Sequence, residues 1–353
     1  MTMGKIIIPT GYIGSGSSAA TDLISEFEGV FAPNNYFEYV FLHCPNGVFD
    51  LEDKLLSGNN SLRSDEAIHS FLDQMRILYK KSEREYWVAG YRECFSNDFM
   101  RLVNEFIDRI DPITFEGYWY AQHELGIRGA GKAIARRIIS KLSFHKLSLG
   151  PSLKYRKMSV CYPSSDTFYE AAREFIGRII QPYFDYHDNI ILDQLLLPHN
   201  LDRMSKYFDD QTYVIVVERD PRDVFLSNKY FWRKKMNQPV PYPIDAELFA
   251  KMYMGIRNSE KIINNDRILR IYFEDLVYNC ESTRMAIQRF LGISDKAKVH
   301  RFQKFDPGSS IQNTQLFKMN QIFKEESDII EKYLNKFLYP FPEVDLSKDR
   351  EVF

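Results

Sequence analysis

Residue types suited to anion chemistry gather in one stretch, Tyr213 to Arg233 (YVIVVERDPRDVFLSNKYFWR). Val214 to Val217 reads as a buried parallel strand, the charged turn Glu218-Arg219-Asp220-Pro221 ends it, and Val224, Phe225 and Tyr230 set a helical period from Arg222 onward. That unit puts Arg219 at the carboxyl end of a central strand, the edge at which open α/β sheets bind ligands. Ser227, eight residues on, can face the same crevice. An arginine fork beside a hydroxyl suits a phosphate. An ion pair of Arg219 with Glu218, Asp220 or Asp223 at a helix start accounts for the same letters equally well.

A second candidate anion site opens the chain. Lys5 to Ile8 reads as a short buried strand, Pro9 to Ser18 (PTGYIGSGSS) as a glycine- and serine-rich loop, and Ala19 to Phe27 as a helix. Glycine permits close backbone approach, so the N–H groups of Gly14, Ser15, Gly16, Ser17 and Ser18 can converge at a helix amino terminus, where the macrodipole favours an anion. Gly11, Gly16 and Ser18 keep the frame of a Walker A loop, but position 17 is Ser instead of Lys, which speaks against a P-loop kinase.

Three further features bear on charge and proton transfer. Leu125 to Ser165 holds no Asp or Glu yet carries nine basic residues, among which Arg128, Lys132 and Arg136 recur every four and would share one helix face. A solvated basic helix explains that pattern too. Asp193 interrupts the apolar run Asn189 to Leu197 (NIILDQLLL); a carboxylate inside a buried strand is costly, so the strand is expected to end there and leave Asp193 at the ligand edge. His123, in YAQHELG, is a candidate base because imidazole titrates near neutrality.

The elements that must position these residues alternate. Strands are expected near Tyr39–Leu42, Met158–Cys161, Asn189–Leu192 and Ile268–Phe273. Helices are expected over 64–80, 97–110, 167–180, 246–258, 282–291 and 321–338. This predicts an α/β fold with a P-loop-like central parallel sheet flanked by helices on both faces, in one domain over 1–353 with a mainly helical insertion at about 60–150. The charge balance of 46 basic against 48 acidic residues gives no reason to expect nucleic acid as a partner. Cys44, Cys94, Cys161 and Cys280 are too scattered for a zinc site or a disulfide framework, so no metal is expected and a reducing, cytoplasmic setting fits. No apolar run reaches the roughly 18 residues of a spanning helix, so any membrane contact would be peripheral. An aromatic content of 15% suits either dense packing or a surface on which rings stack.

Several of these segments together resemble the sulfotransferase family that uses 3′-phosphoadenosine 5′-phosphosulfate (PAPS). Gly14-Ser15-Gly16-Ser17-Ser18 is similar to the family's 5′-phosphosulfate loop, and VIVVERDPRDVFLSN resembles its 3′-phosphate motif, with Arg219 and Ser227 at the matching positions. Ile271 to Leu276 resembles the strand that commonly follows, and Gly308 to Asn313, with Ser310 and Asn313, a late loop that closes over the nucleotide. The resemblance implies transfer of a sulfuryl group from PAPS to a hydroxyl acceptor, a carbohydrate or glycolipid by analogy, with PAP as product. One position departs: the family loop usually carries Lys or Arg where this chain has Gly14. Lys132, Arg128 or Arg136 would then have to supply the charge, or the protein would bind the nucleotide with impaired catalysis. The resemblance places the acceptor's base at Asp193; His123 is the alternative on the ground of its imidazole alone.

Overall fold

The computed structural model describes residues 4–33, 37–80, 90–95, 98–117, 127–143, 156–237, 239–294, 296–344 and 346. Its core is a parallel sheet of five strands: β1 (Lys5–Gly11), β2 (Val30–Phe31), β5 (Asn189–Ile191), β6 (Thr212–Glu218) and β7 (Ile268–Tyr272), in the order β2-β5-β1-β6-β7. A separate antiparallel pair joins β3 (Ile113–Gly117) to β4 (Arg156–Val160). The long pairing is between the two strands that carry the candidate anion residues, from Ile6 beside Thr212 to Gly11 beside Val217. The phosphate-type loop after β1 and the Glu218-Arg219 turn after β6 therefore emerge side by side.

Alternation along the strands builds a core on each face. Ile6, Ile8, Ile190, Leu192, Val214 and Val216 point one way, onto helices that include Ser61–Tyr79, Phe99–Arg109 and Ser165–Phe184. Ile7, Ile191, Ile215, Val217 and Ile271 point the other way, onto the helices Ser17–Ile24 and Cys280–Phe290. The chain is thus an α/β protein whose parallel sheet is flanked by helices. Much of the aromatic supply is spent in the first core, where Phe41, Tyr91, Phe95, Phe99, Phe106 and Phe175 meet ring to ring. Among the described residues no helix is long and apolar enough to cross a membrane.

Two expected strands need correction. Residues 39–42 form no strand: the N–H groups of Val40 and Phe41 donate to the Tyr91 hydroxyl, while the Val40 carbonyl accepts from His43 and Cys44 in a turn. The second sheet strand is instead the two-residue β2. The strand expected at Met158–Cys161 exists as β4, but it pairs with β3 outside the central sheet. The last helix is also shorter than expected, ending at Leu334.

The helix that follows the first loop is fixed at its far end by a buried ion pair. Glu26 accepts from Arg284 Nη1 at 2.6 Å and from the backbone N–H groups of Lys304 and Phe305, and both side chains are almost fully buried. Breaking such a pair strands a charge in a dry core. Arg284→Met is expected to lower the unfolding free energy by about 3 to 5 kcal/mol in a urea titration. A change near zero would show that Glu26 is adequately held by the two backbone donors alone.

Candidate anion-binding site

Arg219 stands at the carboxyl end of β6 and is 4% exposed. Its Nη1 donates to the Gly14 carbonyl at 3.2 Å, and its Nη2 donates to Ser227 Oγ at 3.0 Å and to the Asn313 carbonyl at 2.7 Å. One side chain thus ties together the first loop, the helix after β6 and the late loop. The Phe273 ring lies 4.8 Å from the guanidinium carbon. Among the described residues Arg219 forms no ion pair, and its buried Nε has no acceptor. Burial lowers its pKa, and the charges of Asp223, Glu274 and Asp220 only partly offset that.

The carboxylates that might have paired with Arg219 are engaged elsewhere. Asp220 caps the helix Pro221–Leu226 through the Arg222 N–H, and it also receives the Arg222 guanidinium and the Tyr339 N–H. Asp223 accepts from the N–H groups of Gln315 and Leu316, both at 2.7 Å, and so fixes the chain beyond the late loop. Glu218 pairs with Arg257 and Arg270. Glu274 accepts from the Asp220 N–H, while its other oxygen is buried without a partner. Burial pushes Glu274 up to about 8 and Asp223 up to about 7, so both resist carrying full charge beside Arg219. The helix-start ion pair expected as the alternative is therefore made by Arg222, not Arg219.

The first loop is shaped for close approach. Gly14 has φ 71° and Gly16 φ 94°, the left-handed region that glycine adopts without strain. A Cβ on Gly16 would meet the Phe273 ring at 2.8 Å, so that site also has no room for a side chain. Ser15 is turned inward to accept from the Tyr12 N–H. The helix Ser17–Ile24 begins with no side-chain cap, and among the described residues the N–H groups of residues 14 to 18 make no hydrogen bond. Orphan donors at a helix start require an acceptor from outside the helix.

Asp193 is brought to the same helix start. It follows β5, whose neighbours are β1 and β2, and it is 6% exposed. Burial, with the charges of Glu38 and Asp22, pushes it up to about 8 against an ordinary 3.8, and the Ser17 and Thr21 hydroxyls offset that only in part. Its neighbour Gln194 donates to Ser17 Oγ at 2.9 Å and accepts from Thr10 Oγ1, bridging β1 to the loop. His43, whose role the sequence does not suggest, has its Nε2 2.7 Å from the Gln194 carbonyl, and burial lowers its pKa to about 4.

The other expected residues fare differently. Asn313 reaches the site through its carbonyl, while Ser310 ends a short helix capped by Asp306. His123 lies outside the described residues, as do the side chains of Arg128 and Lys132. Arg136 lies on the helix Ile127–Leu142, and among the described residues no hydrogen bond or ion pair joins it to the first loop. Asn228, Phe273 and Gln194 were missed. The only signal for them is adjacency to Ser227, to the end of β7 and to Asp193.

Residues 135–297 match the model of a sulfotransferase family. The matched stretch is just under half of the chain. It contains Arg219 and Ser227, and the first loop lies before it. Solved structures with some likeness include the sulfotransferase domain from the curacin biosynthetic pathway, 14% identical over 96% of this chain and 93% of that one, with a TM-score of 0.37. The sulfotransferase domain of the Synechococcus PCC 7002 olefin synthase is 16% identical over 96% and 94%, at 0.35. A sulfotransferase from Alicyclobacillus acidocaldarius is 12% identical over 95% and 97%, at 0.36. Likenesses this distant say nothing about substrate. Comparison with curated proteins finds no match.

The raised pKa of Asp193 has a signed consequence. A carboxyl that holds its proton more tightly when folded supports the fold fully below its unfolded pKa, and that support is lost as pH rises towards about 8. Asp193→Asn is therefore expected to gain thermal stability relative to the unaltered protein as pH is raised from about 5 to about 8. A melting-temperature difference that does not change over that range would contradict the assigned environment.

Proposed function

We propose that this protein is a PAPS-dependent sulfotransferase acting on a hydroxyl acceptor. The observation that carries the reading is Arg219, a buried guanidinium that among the described residues has no ion pair and no partner for its Nε, held beside a hydroxyl and a loop whose N–H groups make no hydrogen bond there. A buried cation left so incompletely compensated is stabilised by an anion that enters the site. PAPS has anionic groups at both ends, and when bound it supplies the sulfuryl group and leaves as PAP.

In this reading Nε and the remaining hydrogen of Nη1 of Arg219 take the 3′-phosphate together with Ser227 Oγ. The Asn313 carbonyl holds the fork in orientation, and Ser310 lies on the same late segment. The N–H groups of Gly14, Ser15, Gly16, Ser17 and Ser18 take the 5′ end. Asp193 is the base for the acceptor hydroxyl: a carboxyl pushed up to about 8 is a much stronger base than an ordinary one, and it remains neutral enough at lower pH to spare the loop a like charge. His123 is the alternative base, and Lys132 the candidate for charge that Gly14 cannot supply. Metal plays no part. A carbohydrate or glycolipid hydroxyl is the acceptor class to assay first, and a cytoplasmic setting suits a nucleotide donor.

Calorimetric titration with PAP tests the site. Arg219→Ala is expected to weaken PAP binding by about 30-fold or more, the size of a charge-assisted contact, with little loss of ligand-free melting temperature because an uncompensated buried charge goes with it. Unchanged PAP affinity would remove the assignment. In a sulfuryl-transfer assay over a panel of hydroxyl acceptors, Asp193→Asn is expected to lose turnover and keep PAP affinity. Full turnover in that variant would transfer the role to His123, and tight PAP binding without turnover in the unaltered protein would favour a nucleotide-binding protein over an enzyme.

A further inference from the structure

The first loop lacks a basic side chain at Gly14, yet a polar side chain from another element stands at that place. A Cβ built on Gly14 would lie 3.6 Å from Oδ1 and 3.7 Å from Nδ2 of Asn228. Asn228 is 6% exposed, and among the described residues its Nδ2 has no hydrogen-bond partner. Burying an amide donor with no acceptor is costly, which native structures accept chiefly where something else completes the bond. Arg219 Nε, another donor without a partner among the described residues, belongs to the same cluster through the Gly14 carbonyl and Ser227.

The backbone explains how Asn228 comes to share this face with Ser227. Residues Ser227–Trp232 are wound as a π-helix between the α-helical turns Pro221–Leu226 and Arg233–Met236. The wider π turn reduces the rotation between successive residues, so neighbours that an α-helix would splay apart lie closer to one side. Ser227 meets Arg219 while Asn228 meets the Gly14 end of the loop.

We infer that the side-chain amide of Asn228 is the donor that replaces the basic residue at the head of this loop, binding an oxygen of the 5′ anionic group of the nucleotide. It supplies a hydrogen bond without a charge, and it does so from the element that also carries the 3′-phosphate residue Ser227. The two ends of the nucleotide would then be read by consecutive side chains. This rests on the reading of the site as a nucleotide site, and the test separates the two.

Calorimetry with PAP, 5′-AMP and 3′-AMP on the unaltered protein, Asn228→Ala and the isosteric Asn228→Asp provides that test, with ligand-free melting temperatures as the folding control. Asn228→Ala is expected to weaken PAP and 5′-AMP about 10-fold, as loss of one hydrogen bond to a charged group does, and to leave 3′-AMP unchanged. Asn228→Asp is expected to lose more, because a carboxylate repels the same group. Equal affinities in all three proteins would overturn the inference, as would equal losses for 5′-AMP and 3′-AMP in folded variants. If the unaltered protein binds none of the nucleotides, the reading of the site fails, and the role of Asn228 fails with it.

Discussion

The constraint on which the site depends is the cost of keeping a guanidinium charge buried where, among the described residues, it forms no ion pair. Arg219 is buried, and every carboxylate of its own motif is committed to another partner: Asp220 to Arg222, Asp223 to the Gln315 and Leu316 N–H groups, Glu218 to Arg257 and Arg270. The neighbouring Glu274 and Asp223 are pushed towards their neutral forms by the same burial. What remains is a charged fork whose geometry is fixed by three oxygen acceptors and whose charge is under-compensated. Such an arrangement is poor for stability and well suited to an incoming phosphate.

The fold serves that constraint. Parallel pairing of β1 with β6 sets the two turns beside each other, so a donor loop and a cation share one edge. The Glu26–Arg284 pair and the Asp223 contacts hold the segments that enclose this edge from either side. Glycine at 14 and 16 then lets the loop pass close to Phe273 and Asn228. Where a basic side chain would ordinarily stand, the space is taken by a neutral amide from the π-helical segment.

Much of this was legible in the letters, for identifiable reasons. β1 and β6 are β-branched or apolar runs that stop at loop-forming residues, and Arg219 and Ser227 are separated by a spacing that a strand-turn-helix unit converts into one face. Other features depend on partners distant in sequence. Residues 39–42 look like a strand, but the Tyr91 hydroxyl, some fifty positions away, takes the N–H groups a neighbouring strand would need. The raised pKa of Asp193 comes from burial, to which Glu38 and Asp22 add their charge, and the proximity of Asn228 to Gly14 arises from a π-helical turn that no local pattern announces. The choice between Arg219 and Arg222 as the partner of Asp220 likewise turned on tertiary packing.

The most direct measurement is a crystal structure with PAP bound. The account predicts the 3′-phosphate within hydrogen-bond distance of the Arg219 guanidinium and Ser227 Oγ, with the 5′-phosphate against the N–H groups of residues 14 to 18. A nucleotide bound in the reverse orientation, or away from Arg219, would contradict it.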